Sequence, residues 1–97
     1  MLALTDNAVE AVEQIVSSSE VDSEARGMRV VAERAATETY FHLTVVPVPA
    51  EDDEVIEESG ARIFLDPEAS ALLEDKVLDV SVERNQLAFT IGNQSAL

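Results

Sequence analysis

The 97-residue chain contains no cysteine. Within these residues that excludes disulfides, thiolate zinc sites, cysteine nucleophiles and cysteine-held clusters together. Tryptophan is missing too, and the aromatic set is three phenylalanines and one tyrosine. Valine, leucine, isoleucine and alanine therefore have to build the core. The glycines Gly27, Gly60 and Gly92 each stand alone, so no glycine-rich loop is available to cradle a phosphate. Cations are also scarce. Lys76 is the single lysine, and Arg26, Arg29, Arg34, Arg62 and Arg84 are scattered among 20 acidic residues, for a formal charge of -14. Nucleic acids and anionic membrane surfaces are held by clustered cations, so the expected partners include neither.

No window approaches the roughly 18 consecutive apolar residues of a membrane span. The opening "MLALTDNAVE" has no basic n-region and meets Thr5 and Asp6 at once, so it does not read as a signal peptide. These features predict a soluble cytoplasmic protein. Its acidity has three readings: solubility, a basic protein partner, or cation binding. Solubility comes first, because net charge governs solubility more directly than fold. A salty cytoplasm would select the same composition.

What is present reads as one domain over residues 1–97, ordered from about residue 3 to 93 with 94–97 a loose tail. "LTDNAVEAVEQIVSSSE" opens a helix that Thr5 or Asp6 can cap, with Val9, Val12, Ile15 and Val16 on one stripe. Ser17, Ser18 and Ser19 end it by competing for backbone hydrogen bonds. Met28 to Arg34 is a strand with Met28, Val30 and Ala32 on one face. Thr39 to Val46 alternates Phe41, Leu43 and Val45 against Tyr40, His42 and Thr44 until Pro47 stops it. Between the two lies a loop of small residues, "RAATET".

Glu51 to Asp53 reads as solvated loop, and Glu54 to Glu58 as a charged edge strand turning through Ser59 and Gly60 into "ARIFLD". Asp66 then caps a short helix with Pro67 in its first position and Leu72 and Leu73 on its buried face. A last hairpin places Leu78, Val80 and Val82 on one face and returns through "RNQ" to Leu87, Phe89 and Ile91. The sum is a small β-rich domain with two peripheral helices.

Few residues invite chemistry. His42 could be a metal ligand or proton donor, but one histidine without nearby cysteine is better read as a sheet residue at the surface or half-buried. No nucleophile elbow surrounds any serine, so no enzyme is expected. Glu51, Asp52, Asp53, Glu54, Glu57 and Glu58 form the one dense constellation. They lack the alternating pattern, central glycine and terminal glutamate of a calcium loop, and a solvated face is the plainer reading.

The order and spacing of "LTDNAVEAV", "GMRVV", "EVIEESGARIFLDPEASALL", "LDV" and "LAFT" resemble the HesB-like family of A-type iron–sulfur carriers, from Leu4 to about Asn93. The resemblance implies a β-rich α+β fold: a compact β-sandwich of about six to seven strands, an N-terminal helix and a short helix near residues 67–75. The family's function rests on three cysteines, one in a glycine-rich loop after the second element and two in a Cys-x-Cys pair near the C-terminus. The first maps onto Ala36 or Thr37, and the pair is expected at or beyond residue 97.

Hydroxyls such as those of Thr37 and Thr39 do not replace soft thiolates at neutral pH, and His42 is a single imidazole. The resemblance therefore implies the fold without the cluster: no cofactor, no catalysis, and a protein-binding module. Its expected partners are itself or other proteins, met through strand edges or the acidic segment Glu51 to Glu58. The alternative is an acidic protein that takes iron or another divalent ion, with Glu51, Asp52, Asp53, Glu54 and His42 as the candidate ligands.

Overall fold

The computed structural model describes residues 1–94. In chain order the elements are β1 (Ala3–Leu4), α1 (Asp6–Ser18), β2 (Gly27–Ala35), β3 (Glu38–Val46), β4 (Glu54–Glu58), β5 (Ala61–Leu65), α2 (Pro67–Leu72), β6 (Lys76–Glu83) and β7 (Gln86–Asn93). The strands separate into two sheets, one ordered β1-β6-β7 and the other β3-β2-β5-β4. Their inner faces share an aliphatic core to which Leu2, Leu4, Met28, Val30, Ile56, Ile63, Leu65 and Leu78 contribute. This is the expected β-sandwich, and the described residues form seven strands and two helices, β1 being a strand that the sequence did not suggest.

Helix α1 starts where Thr5 supplies a cap, its hydroxyl oxygen accepting from the Ala8 amide at 3.1 Å. The same hydroxyl donates to Asp79 Oδ1 at 2.6 Å, and the Thr5 amide donates to the Leu78 carbonyl at 3.0 Å. One residue thus starts the helix and ties it to β6. Ala8, Val9, Ala11, Val12 and Val16 form the buried stripe. At the far end Ser19 Oγ donates to the Val16 carbonyl at 2.7 Å, the serine competition that closes a helix.

Strand β2 is central. It pairs antiparallel with β3 from Gly27↔Val46 to Ala35↔Glu38 and parallel with β5 at Met28↔Ile63. Asp66 caps α2 by accepting from the Ala69 amide at 2.8 Å, and its own amide donates to the Val30 carbonyl at 3.2 Å, which docks the short helix on β2. The hairpins β4–β5 and β6–β7 both turn on two left-handed residues, Ser59 and Gly60 in one, Arg84 and Asn85 in the other. Paired positive φ values match the right-handed twist of the strands they join.

Several expectations change. "RAATET" is not a loop of six residues: the ladder runs to Ala35↔Glu38, leaving Ala36 and Thr37 alone outside it. Val82 was expected to share a face with Leu78 and Val80, and unlike them it is 70% exposed, because burial along β6 stops at Val80. Asp53 is no solvated loop residue, since its side chain is fully covered. The short helix ends at Leu72.

The chain ends are also tied further out than residues 3 and 93. Leu2 is buried, and the Met1 amino group donates to the Glu74 carbonyl at 2.7 Å. Gln94 Nε2 donates to the carbonyls of Met1 and Lys76, each at 2.8 Å. The rest of the expected tail, residues 95–97, lies outside the described residues.

Candidate functional site

The β2–β3 turn is the position to which the resemblance points. The turn is tight, and Ala36 carries it with φ 54, a left-handed conformation that usually calls for glycine. Ala35, Ala36, Thr37 and Glu38 are all exposed. The side chains nearby are already engaged with one another. Arg34 pairs with Glu68 of α2, Tyr40 donates to Glu38, and His42 Nε2 meets Glu33 across the hairpin. The bond to Glu38, with some desolvation, holds the Tyr40 phenol above its ordinary pKa. The tip thus offers a methyl group, hydroxyls and paired charges, and no soft donor.

Below the tip an apolar groove of about 300 Å³ opens between the two sheets, lined in part by Leu2, Tyr40, Phe41, Leu43, Phe89 and Ile91. Most of its lining comes from the edge strands β3 and β7, with Val30 of β2 and Leu78 of β6 at its floor.

The acidic constellation is dispersed. Asp53 receives two hydrogen bonds from Arg29, Nε to Oδ2 at 2.7 Å and Nη2 to Oδ1 at 2.9 Å, and a third from the Ala50 amide at 2.9 Å. Arg29 holds the Asp53 carboxyl below its ordinary pKa despite burial, and Asp53 in turn raises that of Arg29. Glu54 accepts from Ser70 Oγ at 2.7 Å, and Glu57 pairs with Arg62 at 2.6 Å. Glu51 and Asp52 are exposed.

His42 lies on β3 and Glu54 on β4, at opposite edges of a four-stranded sheet. Three strand spacings separate them, about 14 Å. Among the described residues no three histidine, aspartate or glutamate side chains converge as a metal site. Glu51, Asp52, Asp53, Glu54 and His42 are therefore not brought together. Reading the sequence also missed the Arg29–Asp53 pair. Its only trace is one arginine on the outer face of a largely apolar strand.

A three-stranded and a four-stranded sheet closed over one aliphatic core, with a helix at the start and a short one before the last hairpin, define a small β-rich two-sheet domain. The chain belongs to the iron–sulphur cluster biosynthesis family, whose model matches residues 1–96. It is 31% identical over 97 residues to an uncharacterized protein of Bradyrhizobium diazoefficiens, covering 99% of this chain and 90% of that protein. It is 29% identical over 80 residues to the vegetative HesB protein of Trichormus variabilis, covering 81% of this chain and 65% of that one.

Among solved structures, Escherichia coli SufA, involved in biosynthesis of iron–sulfur clusters, superposes with a TM-score of 0.79 at 23% identity, over 95% of this chain and 84% of that chain. IscA, solved with a 2Fe–2S cluster, gives 0.78 at 23% identity over 96% and 85%. At that identity the likeness is one of fold. The donor set of this chain does not fit the cluster: Ala36 and Thr37 carry no thiolate, and no thiol occurs elsewhere in the 97 residues.

Proposed function

We propose that this chain is a cluster-free, non-catalytic protein-binding module of the iron–sulphur cluster biosynthesis family, working in the cytoplasm. The observation that carries this reading is the β2–β3 turn. Where the resemblance places the first cluster ligand, the chain turns on Ala36 and Thr37, and a methyl group and a hydroxyl do not bind iron in place of a thiolate. The fold does not need the cluster, because its core is aliphatic and lies under the sheets rather than at the tip. The absence of catalysis is supported by the placement of its one imidazole: His42 is exposed and engaged with Glu33, with no nucleophile paired to it among the described residues.

Native mass spectrometry before and after anaerobic incubation with ferrous iron and sulfide tests the first half. The apo mass is expected in both samples. A discrete, stoichiometric added mass would overturn the reading and favour a carboxylate or His42 metal site. Mild co-purification from the native host tests the second half, with a stable protein partner expected and recovery of none counting against it.

A further inference from the structure

We propose that the free edge of β7 is a docking line for an extended strand of a partner protein, one with alternating apolar side chains bracketed by lysine or arginine. The proposal rests on the protein-binding reading and gives it a surface and a partner chemistry.

Four strands lie at sheet edges: β1, β7, β3 and β4. An open edge presents unpaired amides and carbonyls, and proteins guard it with charge, proline or brevity. β1 is two residues long. β4 carries Glu54, Glu57 and Glu58 among five residues. β3 carries Glu38 and His42. β7, "QLAFTIGN", is eight residues long with no charged residue and no proline. In a chain that is 27% charged, an exposed strand with no charge stands unguarded.

The inner side of β7 points the same way. Leu87 and Ile91 remain 45% and 40% exposed, and Val82, opposite Leu87, is the most exposed of the large apolar side chains in the hairpin. Ile91 and Phe89 line the apolar groove together with Tyr40 and Phe41. A strand added beside β7 would gain main-chain hydrogen bonds along the edge and place alternate side chains over that groove, the division of labour of β-augmentation.

Charge selects the occupant. Exposed carboxylates bracket the neutral strand: Glu83 at the hairpin end, and Asp75 at the other, where its carbonyl receives the Gln94 amide at 3.1 Å. Lys76 Nζ stands 3.6 Å from Asp75 Oδ1 while donating to Asn93 Oδ1 at 2.6 Å, and Arg84 sits in the turn beyond the paired residues. These two carboxylates are therefore locally offset, and the net charge of -14 carries the selection. A second copy would bring another charge of -14 and the same two carboxylates to the contact. A cation-bracketed strand is instead drawn in by the field of the whole chain.

The probe is the synthetic peptide Lys-Lys-Val-Thr-Val-Thr-Val-Lys-Lys, with a counterpart in which every lysine is glutamate. Amide hydrogen exchange of the full chain is read by NMR. The lysine peptide is expected to slow exchange in β7 and leave β4 unchanged, while the glutamate peptide does neither. Thr90→Lys, an exposed substitution on the outer side of β7, is expected to weaken the lysine peptide by about tenfold without moving the thermal midpoint.

Protection on β3 or β4 instead of β7, or equal binding of both peptides, would overturn the proposal. So would a dimer by native mass spectrometry with β7 protected in the absence of peptide. A co-purified partner whose footprint spares β7 would overturn the docking line and leave the protein-binding reading standing.

Discussion

The two ends of β2 differ in how strongly their surroundings dictate them. At the first, Gly27 lies under the ring of Phe64, and a Cβ placed there would stand 2.7 Å from the ring. Two residues on, Arg29 grips Asp53 with both arms of its guanidinium. At the other end Ala36 and Thr37 are exposed, and Ala36 holds a left-handed backbone that suits alanine poorly. One end answers to packing; the other answers only to closing the hairpin. That contrast supports the proposed loss of a ligand at Ala36 or Thr37, because packing does not dictate the side chains of this turn.

Substitutions can break the comparison, and the anchored end is expected to respond most. Phe64→Ala removes a fully buried ring and is expected to cost about 3–5 kcal/mol in urea unfolding. Gly27→Ala overpacks the same contact and is expected to cost about 1–3 kcal/mol. Combining it with Phe64→Leu should cost less than the two single changes summed, because the clash is with that ring. Additive losses would mean that the contact does not govern Gly27.

Asp53→Asn is expected to cost about 1–2 kcal/mol, discounted because Arg29 stays partly exposed. The pair also has a pH signature. Asp53 is held below its ordinary pKa, so its contribution is present above the usual carboxylate range and is lost as pH falls through the lower folded value. From about pH 4 downward the stability gap between the natural chain and Asp53→Asn should therefore close. A gap independent of pH would remove the ionic account.

At the free end the expected signs reverse or vanish. Ala36→Gly relieves the left-handed strain and should stabilise the chain by about 0.5–1 kcal/mol. Thr37→Ala should change stability by less than about 0.5 kcal/mol. A loss of stability in Ala36→Gly would show that this end too is held by packing.

Much of this was legible in the chain, and the reason is distance along it. The Thr5 and Asp66 caps, the apolar stripe of α1, the Ser59–Gly60 turn and the guarded strand Glu54 to Glu58 all involve residues within about four positions of one another. The neutrality of β7 was equally plain in "QLAFTIGN", but it acquires meaning only once β7 is known to be an edge. The β2–β3 turn was legible as a break between two strands, and its length was overestimated because ladder pairing continues through the polar residues Glu33 and Arg34 to Ala35.

Local chemistry along the chain was enough for the order of every element except β1, for the helix starts, for the alternation of faces, and for the lack of any thiolate donor in these residues. These follow from side-chain chemistry and from hydrogen bonds closed over a few residues. Contacts distant in sequence settle that β1 pairs in parallel with β6, that Asp53 is covered, that Val82 is not, and that His42 and Glu54 stand at opposite edges of a sheet. Each of those depends on which surfaces meet across dozens of residues. That is settled by burying the aliphatic core as a whole, and no local pattern encodes it.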